Sequence, residues 1–211
     1  MSGITVVSVN TGSLERLTPA SRSRTGIRKS PVGGPVLCDT QGLVGDAIGN
    51  RKHHGGPDQA VYLYSAEDYA WWSGVLGDPC TPGLFGENLT LDRWWDSPRI
   101  GDRVQLGDVV LELTAPRIPC NTLATRMGDA HFVQPFARAV RPGAYARVIR
   151  PGTLEAGMTG AVTVGSPSWI TVNALFSLYL APPRTTESIT EALRAPVAIR
   201  LREHFLGLLA R

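Results

Sequence analysis

IGDRVQLGDVVLELTAPRIPC, residues 100–120, reads as two β-strands around a turn at Gly107-Asp108, followed by an arginine and a proline-locked bend that ends on Cys120. Short strands of this kind recur along the chain. ITVVSVN (4–10) is β-branched, GPVLCDTQGLVGD (34–46) reads as a strand closing in a glycine-punctuated turn, and AVYLYS (60–65) reads as a buried strand. PGLFGENLTLDRW (82–94) is turn then strand, GAYARVIRPGTLEAG (143–157) strand, turn and strand, and AVTVGS (161–166) a last strand. With 23 glycines and 16 prolines in 211 residues, the punctuation favours short strands and tight turns over a helical bundle. The fold class is therefore mostly β.

Helical signals are fewer. Ser65 is placed as the cap of a helix over 65–77, with acids in its first turn and an apolar stripe of Tyr69, Trp72 and Leu76. NTLATRMG after Cys120 reads as a short helix. Beyond Trp169 the character changes to helical spacing, with Leu193, Ile199, Leu201, Phe205 and Leu208 on one apolar face. A boundary near residue 167 divides a domain over 1–167 from a small helical unit over 168–211. That unit carries no clustered nucleophile, base or ligand, so it is expected to stabilise the protein or steer partners.

The chain is 43% hydrophobic and 18% charged, enough to bury a core. Its net charge of +3 is not gathered into a Lys/Arg stripe, which argues against nucleic acid as a partner and for a localised anion site. From Ser21 to Gly34, Arg22, Arg24, Arg28 and Lys29 are spread through a polar segment that reads as a solvated basic loop, the lining of an anion site being the alternative. The three cysteines have no CxxC spacing, the N-terminus lacks a secretory pattern, and VNALFSLYLA is too short to span a bilayer; a cytoplasmic protein with no membrane partner is expected.

Two segments carry candidate chemistry. In GNRKHHGGPDQAV (49–61), Gly55-Gly56 can aim successive N–H groups into one concavity, Arg51 and Lys52 add charge, and His53 or His54 can donate hydrogen bonds. Asp58 can accept from a ligand amine or hold the turn. Adjacent histidines do not easily converge on one ion, and the other two, His131 and His204, form no HExxH; a stiff polar turn is the plain alternative to an anion clamp. In APRIPCNTL, Pro116 and Pro119 stiffen the backbone around Cys120, and Arg117 stands three residues upstream. A thiolate in an electropositive setting suits a soft metal or sulfur transfer, whereas Cys38 and Cys80 read as inert.

Together GLVGD (42–46), HHGGPDQAVYLYS (53–65), PGLFGENLT (82–90), IGDRVQLGD (100–108), PRIPC (116–120) and ARVIRPG (146–152) resemble, in order, the MOSC domain family, the module named after the C-terminal part of molybdenum cofactor sulfurases. The tail resembles the three-helix unit of stand-alone bacterial members. The resemblance implies a β-barrel-centred fold binding the molybdenum cofactor (Mo-molybdopterin). Cys120 would be the molybdenum ligand, and Arg51, Lys52, His53, His54, Gly55, Gly56, Asp58, Asn88, Arg117 and Arg147 would hold the phosphate-bearing pterin. It implies a reductase of small N-hydroxylated compounds such as hydroxylaminopurine-type bases. A carrier holding a persulfide on Cys120 is the alternative. No flavin, nicotinamide, pyridoxal-type or iron–sulfur pattern is present, so electrons would come from an external donor protein; the reading leaves room for a homodimer.

Overall fold

The hairpin that anchors the sequence reading anchors the fold. A computed structural model of the protein describes residues 3–21, 24–49 and 55–210. Strands β7 (Arg103–Leu106) and β8 (Val109–Pro116) pair antiparallel around Gly107, which takes φ 57° as a two-residue turn requires. Along β7 the side chains alternate exposed and buried, with Val104 and Leu106 inward. Nearly all of β8 is buried, because its outward Glu112 and Thr114 are covered and bonded. Arg103 donates to Glu112 at 2.8 Å, and the Thr114 hydroxyl donates to the Asp58 carbonyl at 2.5 Å.

The remaining strands are β1 (Gly3–Thr11), β2 (Ser30–Pro31), β3 (Val36–Asp39), β4 (Gly42–Leu43), β5 (Val61–Ser65), β6 (Leu89–Leu91), β9 (Ala144–Arg150), β10 (Gly152–Leu154) and β11 (Thr159–Thr163). Seven of the eleven strands close a barrel in the order β11-β7-β8-β9-β5-β6-β1, with β1 pairing back to β11. Only β5 and β6 in that ring run parallel. The 34–46 segment is two strands, and β3 and β4 join β10 in a separate small sheet. The expected barrel-centred, mostly β architecture is the one the molecule has.

Six helices accompany the barrel among the described residues: α1 (Ala66–Leu76), α2 (Asn121–Met127), α3 (Val133–Ala139), α4 (Val172–Leu180), α5 (Thr186–Ala192) and α6 (Ile199–Leu209). Ser65 caps α1 by accepting from the Asp68 N–H at 3.0 Å. The stripe on α1 differs at its end: Tyr69 and Trp72 are buried, but Leu76 is exposed in the last turn and Asp68 is buried instead, held by Trp94 and Arg141. On α6, Leu201 and Phe205 face the core while Ile199 points outward.

Strand β5 separates two cores. Val61 and Leu63 belong to the barrel interior with Ile4, Val104 and Leu113. Tyr62 and Tyr64 face an aromatic cluster with Tyr69, Trp72, Phe85, Phe136 and Phe176. Of the three C-terminal helices, α4 reaches both cores through Leu175 and Phe176, while α5 and α6 join the first through Ile189 and Phe205. No helix among the described residues is long and apolar enough to cross a membrane.

Candidate functional site

A cavity of about 360 Å³ opens on the outer, aromatic side of β5. Its walls are two loops, 24–29 and 46–49, with the Gly55–Ala60 segment, the end of β8 and the start of α2. The two loops meet backbone to backbone. A Cβ on Gly26 would stand 1.8 Å from the Ala47 carbonyl oxygen, so no other residue permits this approach. Gly55 takes φ 70°, and a Cβ there would lie 2.5 Å from Ile48 Cδ1.

Strand β8 delivers Arg117 to the cavity from its end at Pro116. Arg117 is 5% exposed, with its guanidinium carbon 5.8 Å from the Tyr62 ring centre and 5.7 Å from that of Phe136. Burial works against its charge, but Tyr62, Tyr145, Cys120 and Tyr64 together outweigh it and hold Arg117 above its ordinary range. Arg117 Nη1 is buried with no hydrogen-bond partner among the described residues. A buried donor of this kind is costly unless a ligand supplies the acceptor.

Cys120 lines the same cavity at the residue preceding α2, in extended conformation, and its side chain does not cap that helix. Cys38 and Cys80 lie outside the cavity lining, and no disulfide joins the three. Lys29 and Asp46 form a buried ion pair on the wall. Burial pushes the Lys29 pKa down, and Asp46 offsets this only in part. Asp46 also accepts from the Gly12 N–H and from Asn88 Nδ2, each at 2.9 Å. With Arg24 and Arg117 also present, the charge balance of the described wall is positive and suits an anion.

Of the residues singled out in the sequence, the structure brings Gly55, Asn88, Arg117 and Cys120 together around the cavity. Arg51, Lys52, His53 and His54 lie outside the described residues. Asn88 faces the cavity, but its amide is engaged: Oδ1 accepts from the Tyr62 N–H at 3.1 Å, and Nδ2 reaches Asp46 and the Asn10 carbonyl. Its role is to rivet β5 to β1 and the 46–49 loop. Three residues belong elsewhere. Asp58 accepts from the Ile199 N–H at 2.7 Å, and Arg147 lies 3.1 Å from Asp58 and donates to the Pro196 carbonyl at 3.0 Å. Both therefore fasten the C-terminal helices. Gly56 faces Arg200 instead of the cavity. Sequence reasoning missed Asp46 and Tyr62 as wall residues, for which the "GLVGD" and "VYLYS" segments held the available signal, and it gave the lining of an anion site only as the alternative for the segment that carries Lys29. Among the described residues no group of three or more His, Cys, Asp or Glu could hold a metal ion.

Residues 50–160 match the model of the MOSC domain family, spanning the GGP segment, Arg117 and Cys120. The uncharacterized protein YflK of Bacillus subtilis (strain 168) is 34% identical over 154 residues, covering 72% of this chain and 70% of YflK. A protein of Gibberella moniliformis named "Reductase" is 30% identical over 176 residues, 80% of this chain, which spans only 31% of that protein's length. The crystal structure of YiiM from Geobacillus stearothermophilus superposes with a TM-score of 0.80 at 24% identity, covering 97% of this chain and 98% of YiiM, and so shares its fold. With the family model matched over more than half its length, around a cysteine-lined cavity on a closed barrel, this chain belongs to the MOSC domain family.

Proposed function

We propose that the protein is a molybdenum-cofactor-dependent reductase of N-hydroxylated compounds, hydroxylaminopurine-type bases among them, with Cys120 as the molybdenum ligand. The observation that carries this reading is Arg117, a buried cation on the wall of the cavity that Cys120 also lines, whose Nη1 has no hydrogen-bond partner among the described residues. An anionic pterin phosphate would supply an acceptor for Arg117, and the glycine-built wall would let backbone groups approach it. The residues present fit the group. Arg117 and Gly55 would hold it, with Arg51, Lys52, His53 and His54 of the adjoining segment as further ligands, and Cys120 offers the soft sulfur. When bound, the cofactor supplies two-electron oxygen-atom transfer.

The chain's own residues do the remaining work. Arg117 fixes positive charge in a site shielded by the Tyr62 and Phe136 rings, where a charge-assisted bond is stronger than in water. Tyr62 and Tyr145 remain neutral phenols, because burial raises both pKa values, and they make part of the cavity wall aromatic. The net reaction breaks the N–O bond, takes up two electrons and two protons, and releases water. The electrons come from a separate donor protein. The name of the fungal relative supports a reductive activity.

The test is molybdenum content per chain, measured on protein made in cofactor-competent and cofactor-deficient cells. Wild type and Cys80→Ser should carry the metal only from competent cells. Cys120→Ser should lose it. Arg117→Met should weaken retention roughly ten- to a hundredfold, the worth of one desolvated charge-assisted bond. Sulfane sulfur on Cys120 without molybdenum would favour a sulfur carrier instead, and metal-free wild type from competent cells would refute the cofactor reading.

A further inference from the structure

Helix α6 begins 138 positions after Val61, yet its first turn touches the wall of the cavity. Arg200 Nη1 donates to the Gly55 carbonyl at 3.0 Å and to Gln59 Oε1 at 2.8 Å. Gly55 and Gln59 both line the cavity. Between them the chain makes a single turn of 3-10 helix at Pro57–Gln59, closed by the Gln59 N–H on the Gly56 carbonyl at 2.9 Å. In return, Asp58 of that turn accepts from the Ile199 N–H at 2.7 Å, so the wall segment caps the helix that braces it. Arg147 closes the ring through Asp58 and the Pro196 carbonyl.

This reciprocity matters because the segment has little to hold it locally. Gly55 and Gly56 sit at φ 70° and 86°, and both are conformationally permissive residues with many alternatives. Fixing a glycine pair in one geometry requires bonds from outside the segment, and Arg200 provides two from one nitrogen. We propose that Arg200 is a positioning residue: it holds Gly55–Gln59 in the conformation that walls the cavity, making the C-terminal helix part of the binding site's architecture. The consequence for ligand affinity rests on the anion-binding reading above, whereas the brace itself does not.

Hydrogen exchange at the amides of Gly55, Gly56, Asp58, Gln59 and Ala60, on protein made in cofactor-deficient cells, tests the brace directly. Arg200→Ala should speed exchange there by roughly tenfold or more, and Arg200→Lys, which keeps a cationic donor on a long stem, should restore part of the protection. Arg202→Ala is the control. Arg202 donates to the Leu193 and Ala195 carbonyls within the tail, so losing it loosens the tail without touching the wall. Calorimetric titration with pyrophosphate as an anionic probe should show roughly tenfold weaker binding in Arg200→Ala and little change in Arg202→Ala. Unchanged exchange in Arg200→Ala, or the same acceleration in Arg202→Ala, overturns the proposal. So does faster exchange with unaltered pyrophosphate affinity. Should wild type bind no pyrophosphate, the anion reading fails, and the exchange comparison alone still decides the brace.

Discussion

Burial pushes the Cys38 thiol from its ordinary value of 9.0 up to about 12, with Asp39 adding to the shift. Cys38 is fully buried on β3, between its partners on β4 and β10. Cys80 is also shifted upward by burial, whereas Cys120 lies beside a retained positive charge on the cavity wall. One side-chain type thus occupies three electrostatic settings, and only one of them faces a ligand space. The Cys38 shift has a sign that can be measured. Below pH 9 the thiol is protonated in folded and unfolded chains alike. Between 9 and 12 the unfolded chain releases the proton while the folded one keeps it, so stability falls as pH rises, by up to about 1.4 kcal/mol per pH unit. Urea unfolding of wild type and Cys38→Ala across that window should show a shallower decline in the variant. Parallel slopes would mean that Cys38 titrates normally.

Between elements, Glu87 is the joint. It is fully buried where the turn before β6 meets α1 and β1, and its carboxylate accepts from the Tyr69 hydroxyl at 2.7 Å, the Thr90 hydroxyl at 2.8 Å and the Gly83 N–H at 2.5 Å. Burial raises its pKa, and these bonds counter the rise only in part. Glu87→Leu should cost about 3 kcal/mol or more, because these three donors, and Asn10 Nδ2 at 3.5 Å, lose their acceptor in a dry site. Glu87→Gln should cost only about 1 kcal/mol. Its carbonyl can take the Gly83 and Thr90 bonds, and the Tyr69 hydroxyl can turn to accept from the new amide. Equal losses in urea midpoints for the two variants would contradict this account. Joints of this kind explain what the sequence conceals. The β7–β8 hairpin and the Ser65 cap were legible because alternation and capping act over a few residues. Helix α3 was not assigned at all: Pro135 suggests a break, yet it sits in the first turn, where no intrahelical N–H bond is lost. Lys29 looked like part of a solvated basic loop because its partner Asp46 is 17 residues away, and Asp58 looked like a ligand because its true partner, the Ile199 N–H, is 141 residues away. Cys120 and Arg117 were legible as a local pair; the wall around them is a product of tertiary contacts.

Across the whole molecule, the change of character near residue 167 marks where strands give way to helices, while the core runs on without a break. Trp169 packs on Gly101, where a Cβ would stand 2.3 Å from the ring. The Val172 N–H reaches the Pro98 carbonyl at 2.8 Å, and the Ala198 N–H reaches the Thr114 carbonyl of β8 at 3.0 Å. Val172, Leu175, Ile189, Val197, Leu201 and Phe205 join the barrel residues in one buried cluster. A tail built this way cannot melt by itself without exposing the barrel, so barrel and tail should unfold together. Far-ultraviolet circular dichroism follows mainly the helices, and near-ultraviolet dichroism follows the aromatic cluster beside β5. The two thermal transitions should coincide in wild type. Phe205 is fully buried on α6, and Phe205→Ala should lower stability by about 3–5 kcal/mol, a large share of the 5–15 kcal/mol typical of a domain. Both signals should shift to lower temperature by the same amount in that variant. A helical transition that moves alone, leaving the aromatic signal in place, would show the tail to be an independent unit and would remove the physical basis for an α6 brace on the cavity.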